Sequence, residues 1–222
     1  MKKKLAVLSV GAAISLFVVQ AATAAQVTID SFSTTPVGLF GLSYSEYDSS
    51  TSTTTFYLDV SAFVAEAQST TGTPSLDRKF DTISFELLAA PNERITKISY
   101  AEALQTSVSY TDGIAYTAST GSAVVNNISN GLGDHIYMAT ATGTSFSMST
   151  SYDIPGMENE VDVSITNDIL AFAYGDNAYA RVQKQYAIME VKSSAVPIPA
   201  TLWLFGSAIT GLAALRRKGQ AA

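Results

Sequence analysis

The chain has no cysteine among its 222 residues. Disulfide stapling, thiol nucleophiles and thiolate metal sites are therefore excluded, and stability has to come from a packed core. Histidine is nearly as scarce, with His135 alone, so a multi-histidine zinc site has no ligands and a Ser-His-Asp triad would need that one imidazole. No Gly-x-Ser-x-Gly elbow, phosphate loop or dinucleotide fingerprint occurs, and no internal repeat. Positive charge is the third shortage. Three of the 13 basic residues sit at positions 2–4 and three at 216–218, which leaves segment 26–195 with seven against all 19 acidic residues, a net charge of −12. Such a segment is soluble and is repelled by nucleic acid and by anionic lipid.

What remains is a strand-forming body. Ile83, Phe85 and Leu87 alternate with Thr82, Ser84 and Glu86; Val161, Val163 and Ile165 alternate with Asp162, Ser164 and Thr166; Phe56, Leu58 and Val60 alternate with Tyr57, Asp59 and Ser61. Period-two alternation of this kind marks half-buried strands. Further strands are expected over 26–32, 39–47, 94–100, 107–110, 114–118, 136–140, 143–149, 169–174 and 178–191. Turn residues divide them at Pro91-Asn92-Glu93, Asp112-Gly113, Asn130-Gly131, Pro155-Gly156 and Gly175-Asp176-Asn177. Many short strands divided in this way predict an all-β fold, an antiparallel β-sandwich of jelly-roll-like type, built as one domain over 26–195. The only soluble helix suggested is 61–68, where Phe63, Val64 and Ala67 can share a face. Hydroxyl-rich stretches at 49–55 and 69–73 read as exposed loops or strand edges, and as loops they would be open to glycosylation.

Both ends carry delivery signals. Lys2, Lys3 and Lys4 precede an apolar run over 5–19, and Ala22 and Ala24 provide small residues at signal-peptidase spacing, so 1–25 reads as a secretory signal peptide cut after Ala24 or Ala25. At the other end, 200–215 is an uncharged run of 16 residues. At about 1.5 Å per residue it covers roughly 24 Å of a hydrocarbon core of about 30 Å, a single transmembrane helix of marginal length. Arg216, Arg217 and Lys218 stop it on the cytoplasmic side, and the body lies on the other. Pro197 and Pro199 cannot extend that helix backwards, and they bias Val196 and Ile198 toward extended geometry that a processing enzyme can grip.

Val196-Pro197-Ile198-Pro199-Ala200, then Leu202-Trp203-Leu204-Phe205-Gly206-Ser207, then Arg216-Arg217-Lys218 resemble the PEP-CTERM sorting signals of Gram-negative bacteria in their VPxPA variant. The match covers 196–218, with Ile198 where the name-giving motif has glutamate, and 219–222 form a short tail. The resemblance implies export by the secretion machinery and transient anchoring in the inner membrane with the body periplasmic. It further implies processing by an exosortase and a final place at the cell surface or in the extracellular matrix, in the company of exopolysaccharide.

Candidate chemistry within the body is thin. Glu158, Glu160 and Asp162 at i, i+2 and i+4 would share one strand face, an arrangement inviting calcium or simply a solvated face; their spacing matches neither an EF-hand nor a nonapeptide calcium loop. Tyrosine is abundant at 11 residues. Tyr44, Tyr47, Tyr57 and Tyr110 are candidates for a sugar-stacking platform, or for ordinary cross-strand packing. No catalytic residue, metal ligand or cofactor is assigned. The expectation is a non-enzymatic, structural or adhesive matrix protein, with a secreted carbohydrate-binding module as the alternative and a secreted hydrolase behind both.

Overall fold

In the computed structural model of the chain, residues 26–36, 38–138, 141–196, 205 and 207–209 are described. Ala22, Ala24, Pro197, Pro199, Ala200, Arg216, Arg217 and Lys218, and with them the signal-peptidase site and most of the sorting signal, lie outside those residues. Val196 lies inside, its N–H donating to the Asn92 carbonyl at 2.8 Å. Of the apolar run only Phe205 and 207–209 are described, and these are helical. Among the described residues no helix is long and apolar enough to cross a membrane.

The body is an all-β sandwich of two antiparallel sheets. Sheet I has the order β1 (Thr28–Thr35), β5 (Ser75–Leu88), β10 (Glu160–Asp176), β7 (Asp112–Val125) and β8 (Ile128–Tyr137). Sheet II has the order β2 (Gly41–Asp48), β3 (Thr53–Asp59), β11 (Ala178–Ala195), β6 (Glu93–Ser109) and β9 (Ala141–Glu158), and the short β4 (Val64–Ser69) also pairs with β11. Alternation fixes which side of each strand is covered. Ile83, Phe85 and Leu87 of β5 and Val161, Val163, Ile165 and Ile169 of β10 face inward against Ile98 and Leu104 of β6 and Val182, Met189 and Val191 of β11, all fully or almost fully buried.

Five expectations are corrected. Segment 61–68 is not a helix: after a turn in which the Phe63 N–H donates to the Val60 carbonyl, Val64–Ser69 pairs antiparallel with β11. Ala65, Ala67 and Ser69 are buried at period two, and burial against the sheet outweighs a weak helical pattern. Asn130-Gly131 is no turn but part of β8; the β7–β8 hairpin turns at Asn126 and Asn127, both in the left-handed region at φ 46° and 67°. Pro155-Gly156 likewise lies within β9, at its irregular end where pairing with β6 skips register. The separate strands expected over 94–100 and 107–110 are one 17-residue strand, β6, because Glu102 points inward and hides the alternation.

Asp112-Gly113 also opens a strand. Gly113 faces Gly175 across β7 and β10, and a Cβ on either residue would stand 2.1 Å from a backbone oxygen of the opposite strand. Only glycine permits that approach.

Candidate functional site

The outer face of sheet II carries a cleft of about 340 Å³ between β2, β3 and β11, lined among others by Tyr44, Tyr57, Asp59, Gln183, Gln185 and Tyr186. Two β-bulges build it. In β2 the register skips between Leu42 and Tyr44, which sets Tyr44 opposite Tyr57 on the outer side. In β11 it skips between Lys184 and Tyr186, so Gln185 and Tyr186 are both exposed while Lys184 and Ala187 on either side are buried. A bulge inserts one extra residue and reverses the side on which the following residues emerge. Unbroken alternation would have put Tyr186 inside with Lys184.

Tyr44 and Tyr57 stack with centroids 4.3 Å apart and planes at 13°, and Tyr44 and Tyr186 remain 51% and 48% exposed. Polar groups surround them. The Tyr57 hydroxyl donates to Glu46 Oε2 at 3.4 Å, and the nearby Glu46 carboxylate raises that phenol above the ordinary tyrosine range. The Ser61 N–H donates to Asp59 Oδ1 at 2.9 Å, and this bond is the main cause that holds the Asp59 carboxyl below its usual value. Gln183 accepts from Arg181 at 2.8 Å, and Gln185 donates to Gln105 at 3.4 Å. Exposed rings beside amides, hydroxyls and a carboxylate form a surface that can stack on the apolar face of a pyranose and hydrogen-bond its edge.

Of the four tyrosines suggested by sequence, Tyr44 and Tyr57 meet in this cleft. Tyr47 and Tyr110 do not line it. Tyr186 was missed, and the Gln-rich 183–185 stretch before it is the only local hint of an interrupted strand.

The three acids do not form a row. Glu158 ends β9, Asn159 turns the chain, and Glu160 and Asp162 begin β10. Glu158 Oε2 accepts from Asn126 Nδ2 at 2.5 Å, whereas Asp162 stands opposite Glu86 of β5. Beside Glu160, Asp30 and Asp162, the Glu86 carboxyl is raised from its ordinary value, Glu160 being the main cause. Among the described residues no group of three or more His, Asp or Glu side chains is placed to hold a metal ion.

His135 borders a second cleft of about 360 Å³ together with Asp134, Asp168 and Arg78. Along β8, however, Asp134 and Ile136 point outward and His135 inward, its ring stacked on Phe146 of β9 at 3.7 Å. The carboxylates on the outer side are already engaged. Asp168 accepts both Nε and Nη2 of Arg78, and Asp134 accepts the Thr120 hydroxyl. Imidazole and carboxylates therefore lie on opposite faces of sheet I.

The inner face of sheet II, directly behind the tyrosine cleft, holds an ionic group that sequence reasoning did not find. Lys184 and Glu102 form an ion pair with both side chains fully buried, and the Tyr100 hydroxyl donates to the same Glu102 Oε2 at 2.5 Å. The Lys184 ammonium sits 5.0 Å from the Phe63 ring centroid and 5.5 Å from that of Phe40. Burial lowers its pKa to about 8 against the opposing pull of Glu102, and burial likewise pushes the Tyr100 phenol well up.

No family model and no curated protein matches the chain. Among solved structures it is similar to dimeric latent PorU from Porphyromonas gingivalis at 12% identity and a TM-score of 0.30, over 60% of this chain and 12% of that one. Similar too are the enzymatically active domain of tailspike protein 4 of bacteriophage CBA120, at 11% and 0.18 over 70% of this chain and 19% of that one, and infectious bursal disease virus, Gx strain, at 13% and 0.22 over 63% and 42%. The chain thus spans less than half the length of each, and at these scores the likenesses carry no functional argument.

Proposed function

We propose that this chain is an exported, non-catalytic surface or matrix protein that adheres to neutral polysaccharide through the Tyr44–Tyr57–Tyr186 cleft. The observation that carries the reading is the pair of bulges, in β2 and β11, that turn two tyrosines outward beside a third in one cleft. A net charge of −12 over 26–195 disfavours acidic polymers, so uncharged glycans are the fitting class. Repeated crossing between the sheets, from β5 to β6 and from β9 to β10, supports a jelly-roll-like winding. Delivery follows the terminal signals: the signal peptide directs export, and the PEP-CTERM-like segment 196–218 anchors the chain by a transmembrane helix until an exosortase releases or transfers it. Nothing in this role calls for a metal or cofactor.

Affinity electrophoresis and calorimetry with neutral and acidic polysaccharides test the binding. Retention by a neutral polymer that the double variant Tyr44→Ala with Tyr57→Ala abolishes is the expected result; equal retention by that variant overturns the assignment of the cleft. The route is tested by the intact mass of the mature protein from its native host, where persistence of 203–222 would exclude processing at the hinge.

A further inference from the structure

Asn167 of β10 is fully buried, yet neither its Nδ2 nor its Oδ1 makes a hydrogen bond of normal geometry among the described residues, and Glu102 Oε1 is in the same condition. Leaving a buried amide wholly unmatched costs free energy that a fold of this kind ordinarily recovers with a partner. The amide's surroundings are specific. Gly121 stands opposite Asn167 on β7, and a Cβ there would fall 2.9 Å from Asn167 Oδ1, so the missing side chain makes room for the amide. Across the interior the Asn167 side chain approaches the Tyr100 hydroxyl closely enough to temper the rise in its pKa, and that hydroxyl is bonded to Glu102, which in turn holds Lys184. An amine and a carboxyl from sheet II and an unsatisfied carboxamide from sheet I thus all face the interior between the sheets, gathered about the Tyr100 hydroxyl, with the Phe40 and Phe63 rings against the Lys184 ammonium.

We infer that Lys184 and Asn167 are the two halves of an intramolecular isopeptide bond, formed within the folded sandwich with Glu102 as proton carrier. This proposal stands apart from the polysaccharide reading and does not depend on it. In a dry site the ion pair converts to neutral amine and neutral acid as the ammonium gives its proton to Glu102. The Lys184 Nζ lone pair attacks Asn167 Cγ while Glu102 protonates Oδ1. Glu102 then takes a proton from Nζ and passes it to Nδ2. The Cγ–Nδ2 bond breaks, the carbonyl re-forms as its proton returns to Glu102, and ammonia leaves. One N–C bond is made and one broken, with no oxidant, reductant or further reactant. The product ties β11 of sheet II to β10 of sheet I.

The test is peptide mapping of the purified, cooperatively folding protein. Trypsin should fail to cut after Lys184, leaving 182–192 joined to 98–181 through Asn167, with a combined mass short by one ammonia. Asn167→Asp should form the same bond with loss of one water instead, and Glu102→Gln should leave Lys184 free and cleavable. Because the wild-type map decides the matter by itself, misfolding of a variant does not obscure it. Free Lys184 in folded wild-type protein, or a link from Lys184 to any residue other than Asn167, overturns the proposal.

Discussion

The two faces of sheet II where β11 crosses β3 and β6 use similar polar chemistry to opposite ends. Outside, Tyr44, Tyr57, Tyr186 and the glutamines are bathed in water, so each polar atom keeps a partner whatever binds, and only ring area is left to be covered. Inside, Lys184, Glu102 and Tyr100 have no water to fall back on. Every missing bond there carries a desolvation cost, and reactivity that water would quench persists. One bulge between Lys184 and Tyr186 assigns neighbouring residues to these two settings.

The largest break in this comparison should come from the inner face. Glu102→Ala leaves Lys184 unlinked with its charge stranded and is expected to cost about 3 to 5 kcal/mol or more in urea unfolding, whereas Lys184→Met together with Glu102→Leu should recover the charge penalty but not the contribution of the covalent link. A double variant as unstable as the single one would show that the pair organises more than its own charge.

On the outer face binding and stability should separate. Tyr44→Ala and Tyr57→Ala are each expected to weaken neutral-polysaccharide binding about tenfold, corresponding to about 1.4 kcal/mol. Their stability loss, read from the same denaturation curves, should stay under about 1 kcal/mol, the worth of one cross-strand pair.

A pH titration sharpens the inner face further. A free Lys184 releases its proton near 8 when folded but only near the ordinary lysine value of 10.5 when unfolded. Unfolding then takes up a proton between those values, and stability rises with pH across that window. Once Lys184 is amide-linked that rise vanishes, while Glu102→Gln should restore it.

The smallest effect is expected on the outer face of sheet I. Glu86 is held above the ordinary glutamate value of 4.5 chiefly by Glu160, so its folded form keeps a proton that the unfolded form has lost, and stability falls as pH rises through that region. Glu86→Gln should raise Tm slightly at neutral pH, an advantage that fades as pH approaches 4.5.

Much of the sheet architecture was legible because a strand covered on one side advertises itself at period two, as at 82–87 and 161–166. It became illegible where a polar residue points inward or a bulge changes parity. Glu102 split β6 into two apparent strands, and unbroken alternation along β11 would place Tyr186 inside, whereas the bulge turns it out. The acids at 158–162 misled for a related reason: spacing cannot reveal that Asn159 is a turn. Tyr44 and Tyr57 could be named as aromatic candidates, but only pairing of β2 with β3 in bulged register makes them neighbours.

By itself the sequence determined the all-β class, the cysteine-free core, the acidic surface and the expectation of terminal delivery signals, because composition and local periodicity act within a few residues along the chain. Tertiary structure alone decided that Tyr186 joins Tyr44 and Tyr57 and that Lys184 and Glu102, 82 residues apart, share a buried site that Asn167 approaches from the opposite sheet. Those encounters depend on strand order, register and the stacking of one sheet on the other, and such long-range pairings leave no periodic trace in the order of the residues.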